Sequence, residues 1–267
     1  MRTEEAAWAV ALFNRSVLKQ QKHRQIVSLL GETGGRTCLD IGGDNGVISY
    51  LLRQRGGEWL SADLDETSVA AIRQVVGSGV YQIDGLRTPF PDGLFDVIVI
   101  IDFLEHIPTD AQFAEELARI LKPGGVLIVN VPHLKPRSLL NRVRNAVGLT
   151  DERHGHVRPG YTLEGLRRTL GDRFELVRSR TYSKACSEAV DLSLNGAFEF
   201  LQRLKSRGAR SKKGTVVTRS DVEAHQKEFF LMSLAYPILR LISSLDWLLF
   251  MQPGYKLIIK AVRKGDP

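Results

Sequence analysis

The chain has 267 residues, 43% of them hydrophobic and 25% charged, which suffices to bury one substantial core with an elaboration but argues against two separate domains. The formal charge is +7, so an acidic surface or an anionic molecule is a natural partner and a basic one is not. Two cysteines, Cys38 and Cys186, exclude a disulfide framework and a cysteine-bound metal, and the start Met1-Arg-Thr-Glu-Glu lacks the apolar core of a signal peptide, which predicts a cytoplasmic protein.

In chain order, Glu4 to Leu30 places Val10, Phe13, Val17 and Leu18 at helical spacing, a helix that either covers a ligand or packs on the core. Cys38-Leu-Asp40-Ile then reads as a strand that ends on an acid and turns through Gly42, Gly43 and Gly46 into a helix. Glycines admit positive φ and close backbone approach, and a helix start offers unpaired N–H groups, so this turn is suited to a small charged cofactor. Neither the G-x-G-x-x-G spacing of dinucleotide folds nor the Gly-Lys-Ser/Thr ending of phosphate loops is present. Glu58 to Asp63 is a second strand ending in acid, and Asp63 follows Gly42 by 21 residues, about the offset at which such folds set a carboxylate on a ribose. Asp65 reads as the N-cap of a helix over Ser68 to Val76. Val80 to Asp84 is a short third strand, and Phe95 to Asp102 is a continuous apolar run, as expected of a strand covered on both faces. Phe103-Leu-Glu-His106 follows, then a helix through Leu117, a Pro-Gly-Gly turn to Gly125 and a fifth strand, Val126 to Pro132.

The spacing Asp40-x-Gly42-x-Asp44-x-Gly46 resembles the D-x-G-x-G-x-G loop of the class I S-adenosylmethionine-dependent methyltransferases, with Asp44 replacing the middle glycine. The elements from 36 to 133 follow that family's order. The resemblance implies an α/β fold, a seven-stranded Rossmann-like sheet whose last strand is antiparallel, and S-adenosylmethionine as cofactor. It also implies roles: Gly42 and Gly46 beneath the methionine part, Asp63 on the ribose hydroxyls, Asp84 on the adenine amino group, and Leu64 and Leu86 on the adenine faces. Asp40, Gly43, Asp44, Gly85 and Asp102 complete the predicted cofactor site, and no metal is expected. Asp tolerates left-handed backbone, so Asp44 keeps the turn; its carboxylate either meets the methionyl ammonium or points to solvent.

A sulfonium methyl is already activated, so the protein has mainly to align an acceptor and, for a hydroxyl, take a proton. Histidine suits that task. His106 and His133 follow strands four and five, where open α/β sheets bind ligands; His106 also reads simply as a hydrogen-bonded residue opening the next helix. The stretch Arg153-His154-Gly-His156-Val-Arg158-Pro-Gly-Tyr161-Thr162 resembles a His-x-Arg segment, ending in an aromatic and a hydroxyl residue, of family members acting on small molecules, glycans or lipids. On that basis His156, His106 and Tyr161 are the catalytic candidates, with His156 first. Thr162 also reads as the N-cap of a helix over Leu163 to Leu170, and His23 and His225 as solvent-facing. No Asn/Asp-Pro-Pro-Tyr follows strand four and no cysteine stands where a pyrimidine C5 methylase needs one, so a nucleic-acid base is a poor acceptor.

Phe174 to Tyr182 alternates like a strand, and Gly254 to Lys264 resembles the family's last, antiparallel strand. The family joins these by a short hairpin; here residues 183–253 intervene. Between Arg203 and Arg219 stand seven positive residues and no acid, and Glu228 to Met251 is strongly apolar, though its longest uncharged run, Phe229 to Leu239, is only 11 residues. Spanning a bilayer takes roughly 20. Three readings compete: helices packed on the core, a peripheral membrane segment and, least favoured, a nucleic-acid surface. A helix over Ser138 to Gly148 shares the apolar and basic character and favours the membrane. The chain thus divides into an N-terminal helical segment (1–35), a methyltransferase domain (36–182 with 254–267) and an insertion (183–253) serving substrate or membrane contact. The expected activity is methyl transfer to a small or lipid-linked acceptor, most simply a hydroxyl. An RNA or protein methyltransferase, or a cofactor-binding module without catalysis, remain alternatives, and the oligomeric state is not legible.

Overall fold

A computed structural model describes residues 4–135, 138, 140, 155–190, 192–193 and 226–265. The helix expected over 138–148, the basic run 203–219, His154 and His225 lie outside or largely outside these residues.

Seven strands form one sheet in the order β3-β2-β1-β4-β5-β7-β6. They are β1 (Thr37–Ile41), β2 (Glu58–Asp63), β3 (Val80–Gln82), β4 (Phe95–Ile101), β5 (Leu121–Pro132), β6 (Phe174–Tyr182) and β7 (Lys256–Arg263). The first five are mutually parallel and β7 runs antiparallel between β5 and β6. The expected α/β architecture, with its antiparallel last strand, is therefore present. β4 lies centrally and its run of Val97 to Ile101 is buried on both faces, which is why no polar alternation interrupts it. On one face pack Phe103, Phe113, Leu117 and Leu166; on the other, Ala9, Ile26, Leu30 and Leu52. Each such large side chain contributes about 1.5 to 3 kcal/mol of burial.

The helices start where short polar side chains satisfy their first N–H groups. Asp65 accepts from Ser68 N at 2.9 Å ahead of α4 (Glu66–Val76), and Thr162 accepts from Gly165 N at 3.0 Å ahead of α6 (Leu163–Leu170), both as expected. The N-terminal segment corrects one expectation. It forms two helices, α1 (Glu4–Phe13) and α2 (Val17–Leu30), because Ser16 takes an extended conformation and caps the second. Further helices among the described residues are α3 (Val47–Arg53), α5 (Asp110–Ile120) and α7 (Gln226–Ser244). A second difference lies at Lys122-Pro-Gly-Gly, expected as a turn before the fifth strand. Leu121 already pairs with Phe95, and the glycines are absorbed as an irregularity in register before Val97. A third concerns His23, which is half-buried with its ring edge-on to Phe13 at 5.6 Å rather than facing solvent, and burial lowers its pKa.

The chain leaves β1 for β2 on one side while β4 lies on the other. That reversal of strand order opens a crevice at the carboxyl ends of β1 and β4, the position at which open α/β sheets take ligands.

Candidate active site

The loop leaving β1 fills one wall of the crevice. Gly42 (φ +87°), Asp44 (φ +53°) and Gly46 (φ +77°) all take left-handed backbone, so the substituted middle position keeps the turn as expected. Gly42 is constrained further: a Cβ there would stand 2.1 Å from the carbonyl oxygen of Ile101. Gly43 is held tight by packing instead, its Cβ direction pointing at Ser49 Oγ (2.5 Å) and Ile72. Gly46 ends the loop as the N-cap of α3.

Asp40 lies beneath this loop with its side chain fully buried. Its carboxylate accepts from Ser49 Oγ at 2.5 Å and Ser61 Oγ at 2.8 Å, and meets Arg53 at 3.4 Å. Those partners put it on the core side of the crevice, so its influence on a ligand runs through the shape of the turn. Arg53 also donates to the Trp59 carbonyl, tying α3 to β2.

Asp63 ends β2 at the crevice, 8% exposed, and one of its oxygens accepts from Leu64 N at 2.8 Å. Burial, reinforced by the charges of Asp65 and Asp44, pushes its carboxyl up to about 7. A carboxylate so poorly solvated is ready to accept from two neighbouring hydroxyls. Asp84, by contrast, is exposed and accepts from Leu86 N and Arg87 N with one oxygen, which shapes the loop after β3. Gly85 follows with φ +75° and a Cβ direction 2.6 Å from Ile107, so only glycine lets that loop lie against the turn after β4. Leu64 packs on the core edge while Leu86 is 42% exposed, the more open of the two expected adenine neighbours.

Helix α2 adds a feature that the sequence pattern did not single out. Lys19 reaches Asp44 at 2.8 Å, and Lys22, one turn on, is paired with Asp102. Asp44 is 57% exposed and paired with Lys19, so its carboxylate faces solvent at the rim of the loop with a lysine beside it. Asp102 sits at positive φ at the end of β4, where Lys256 (3.2 Å) and Asn130 Nδ2 (3.1 Å) also donate to it. Burial opposes its ionisation, but the two ammonium groups outweigh that and hold its carboxyl well below the usual carboxylate range. An i, i+3 lysine pair on an amphipathic helix ordinarily marks a solvated face, so no local pattern points to these ion pairs.

The second wall is built by residues 155–162. Val157 N donates to the Glu105 carbonyl and Tyr161 N to the Pro132 carbonyl, both at 2.9 Å, so this stretch is laced to the ends of β4 and β5. It brings the sequence candidates together. The rings of His106 and His156 meet edge to face at 4.8 Å, and their ligating atoms and those of Glu105 all lie within 4.8 Å of one another. At that spacing the three groups surround a single point that a bridging water or a divalent cation would fill, and they are too far apart to pass a proton directly. His106 Nδ1 stands 3.3 Å from the Gly155 carbonyl, which can only accept. The neutral ring therefore carries its proton on Nδ1 and presents Nε2 as an acceptor. Burial lowers the His106 pKa, favouring that neutral form.

Glu105 is the residue the sequence reading passed over. It is fully buried, and neither oxygen finds a hydrogen-bond partner among the described residues. Burial, with the charge of Asp102 behind it, raises its carboxyl to about 8. At neutral pH it is mostly a protonated acid. A Glu-His pair after an apolar strand was its only signal.

Tyr161 occupies a different position from that expected of a catalytic group. Its side chain is buried, its hydroxyl lies near Asp110 (2.8 Å) and the Leu104 carbonyl (3.2 Å), and Arg158 donates to it. Arg158 also pairs with Asp110 and donates to the Leu104 and Pro108 carbonyls. This network fixes the second wall from below. Tyr161→Phe should therefore lower stability by about 1 to 2 kcal/mol in urea unfolding while leaving turnover within about twofold; a large loss of turnover in a stably folded variant would return the hydroxyl to the chemistry. His133 is likewise structural, its Nδ1 donating to the Gly254 carbonyl at 2.8 Å.

Comparison with known proteins bears on the enzyme class and the fold. Residues 39–129 match the family model of a methyltransferase domain. An uncharacterized methyltransferase of Mycobacterium sp. (strain JLS) is 32% identical over 98 residues, covering 36% of this chain and 39% of that protein. A ubiquinone biosynthesis O-methyltransferase of Pseudomonas paraeruginosa is 30% identical over 119 residues, covering 42% of this chain and 51% of its own length. The chain thus spans about half or less of the curated relatives it matches. Among solved structures, a cyclopropane synthase of Mycobacterium tuberculosis superposes with a TM-score of 0.58 at 18% identity, over 92% of this chain and 84% of that one. At that identity the likeness concerns the fold.

Proposed function

From the chain's membership of the class I S-adenosylmethionine-dependent methyltransferases, carried by residues 39–129, we propose that it transfers the cofactor's methyl group to a hydroxyl of a small or lipid-linked acceptor. The cofactor lies across the glycine turn, with the ribose hydroxyls on Asp63 and the adenine between Leu64 and Leu86, beside Asp84. Bound, it supplies the activated methyl. The ion pairs Lys19–Asp44 and Lys22–Asp102 line the methionyl end of the crevice and offer charges of both signs to its ammonium and carboxylate.

The observation that carries the reading is the cluster of His106, His156 and Glu105 on the same sheet edge as the glycine turn. A hydroxyl acceptor sheds its proton as the new carbon–oxygen bond forms, and the unprotonated Nε2 of His106 or the ring of His156 takes it. The neighbouring Glu105, whose carboxyl burial raises to about 8, adds little negative charge beside the reacting atoms at neutral pH. The relative named for O-methylation in ubiquinone biosynthesis supports an oxygen acceptor and a lipid-linked one.

The test separates binding from chemistry. His156→Ala should leave the affinity for S-adenosylmethionine unchanged by calorimetry and reduce single-turnover methyl transfer by at least about tenfold, the lower range for loss of a general base. Equal turnover in wild type and variant would remove His156 from the reaction, and loss of cofactor binding would place it in the wrong half of the crevice.

A further inference from the structure

Helix α7 and the 3-10 turn Leu245–Leu249 that follows it turn their apolar side the wrong way for a packed helix. Leu234, Ile238, Leu241, Leu245 and Leu248 recur at spacings of three and four, the signature of one helical face, and they are 42% to 69% exposed. Three polar residues point inward. Tyr236 accepts from Gln20 of α2 at 2.8 Å, Ser243 is buried, and the Asp246 carboxylate accepts from the backbone N–H groups of Lys184 and Cys186 at 2.7 and 2.9 Å. The turn ends in Trp247, Phe250 and Met251, which are 71%, 76% and 85% exposed. Scattered exposed leucines need no explanation, but a continuous stripe ending in three large exposed side chains marks an interaction surface.

We propose that this face docks on an anionic lipid bilayer, lying in the interface with Trp247, Phe250 and Met251 inserted among the acyl chains. Charge argues for lipid over a second copy of this chain. Seven of the Lys and Arg residues fall between Arg203 and Arg219, with no acid among them, and the run ends shortly before α7 begins. Arg240 is exposed on α7, and Lys184 and Lys135 donate to the carbonyls of Leu249 and Pro253 where the patch ends. A patch flanked by cations repels its own copy and is drawn to anionic headgroups. Among the described residues no helix is long and apolar enough to cross a membrane, so the contact is peripheral. The Gln20–Tyr236 bond ties α7 to α2, whose Lys19 and Lys22 flank the crevice, so docking would set the site beside the bilayer. The proposal concerns the surface and stands whether or not the acceptor is a lipid.

Co-sedimentation of the full chain tests it, with vesicles of phosphatidylcholine alone and of phosphatidylcholine mixed with phosphatidylglycerol. Wild type should pellet with the mixed vesicles, lose that binding as salt rises, and show quenching of Trp247 fluorescence by brominated acyl chains, with Trp247→Phe as the reference that isolates its signal. The triple variant Trp247→Ser, Phe250→Ser, Met251→Ser should bind the mixed vesicles at least about tenfold more weakly while keeping its affinity for S-adenosylmethionine, which reports an intact fold. Failure of wild type to pellet, or equal pelleting of the triple variant, overturns the proposal. So does a wild-type dimer in sedimentation equilibrium that becomes monomeric in the triple variant, because the face then belongs to a second copy.

Discussion

Alanine at Gly42 is expected to lower stability by about 3 to 5 kcal/mol in urea unfolding and to abolish measurable binding of S-adenosylmethionine. The added Cβ would lie 2.1 Å from the Ile101 carbonyl oxygen and 3.1 Å from its carbon, both backbone atoms of the central strand. Neither neighbour can swing aside as a side-chain tip would. The left-handed φ of +87° adds strain of its own. The loop would have to withdraw from β4, and with it the floor of the crevice. Gly34→Ala is the matched reference, since a Cβ there meets nothing within 4 Å; its stability should change by less than about 0.5 kcal/mol. Equal behaviour of the two variants would show that the turn tolerates a side chain.

Removing the Asp63 carboxylate is expected to weaken S-adenosylmethionine binding by about a hundredfold. Two ribose hydroxyls donating to an ionised acceptor are worth roughly 1.5 to 3 kcal/mol each, offset in part by ionising a buried acid. The raised carboxyl gives this interaction a pH dependence of known sign. The hydroxyls favour the ionised form, so a ligand-free protein whose Asp63 titrates near 7 must give up a proton to bind at lower pH. Affinity should fall by up to about tenfold per unit below pH 7 and level off above it. Asp63→Ala should lose both the affinity and this slope. A variant that keeps wild-type affinity, or a wild type whose affinity is flat from about pH 5 to 8, would place the ribose elsewhere.

What the sequence made legible follows from where the physics is local. Strand periodicity, the caps at Asp65 and Thr162, and the glycine turn are all set by residues within a few positions of one another, and these elements fall where their patterns place them. The pairings that define the site's charge are not local. Lys19 and Lys22 meet Asp44 and Asp102 across 25 and 80 residues, and Lys256 meets Asp102 across 154. No spacing rule reaches so far, so Asp44 and Asp102 read as open carboxylates when each is already matched. Tyr161 misled for a related reason. Its neighbours in sequence resemble a substrate-contacting segment, but its hydroxyl is claimed by Asp110, which lies 51 residues away. A Glu between Leu and His on a turn ordinarily reads as solvated; only the fold shows the Glu105 carboxyl buried, with no hydrogen-bond partner among the described residues. Helix α7 shows the opposite failure. Its apolar stripe is plain in the sequence, and packing was the simplest expectation, yet the stripe faces outward because Tyr236, Ser243 and Asp246 hold the polar side against the body of the protein.

The most direct test of the account is transfer of labelled methyl from S-adenosylmethionine into cell extract separated into lipid, small-molecule, protein and RNA fractions, with His156→Ala run alongside. Label should enter the lipid or small-molecule fraction and be at least about tenfold weaker with the variant. Label confined to RNA or protein, or cofactor binding without label in any fraction, would contradict it.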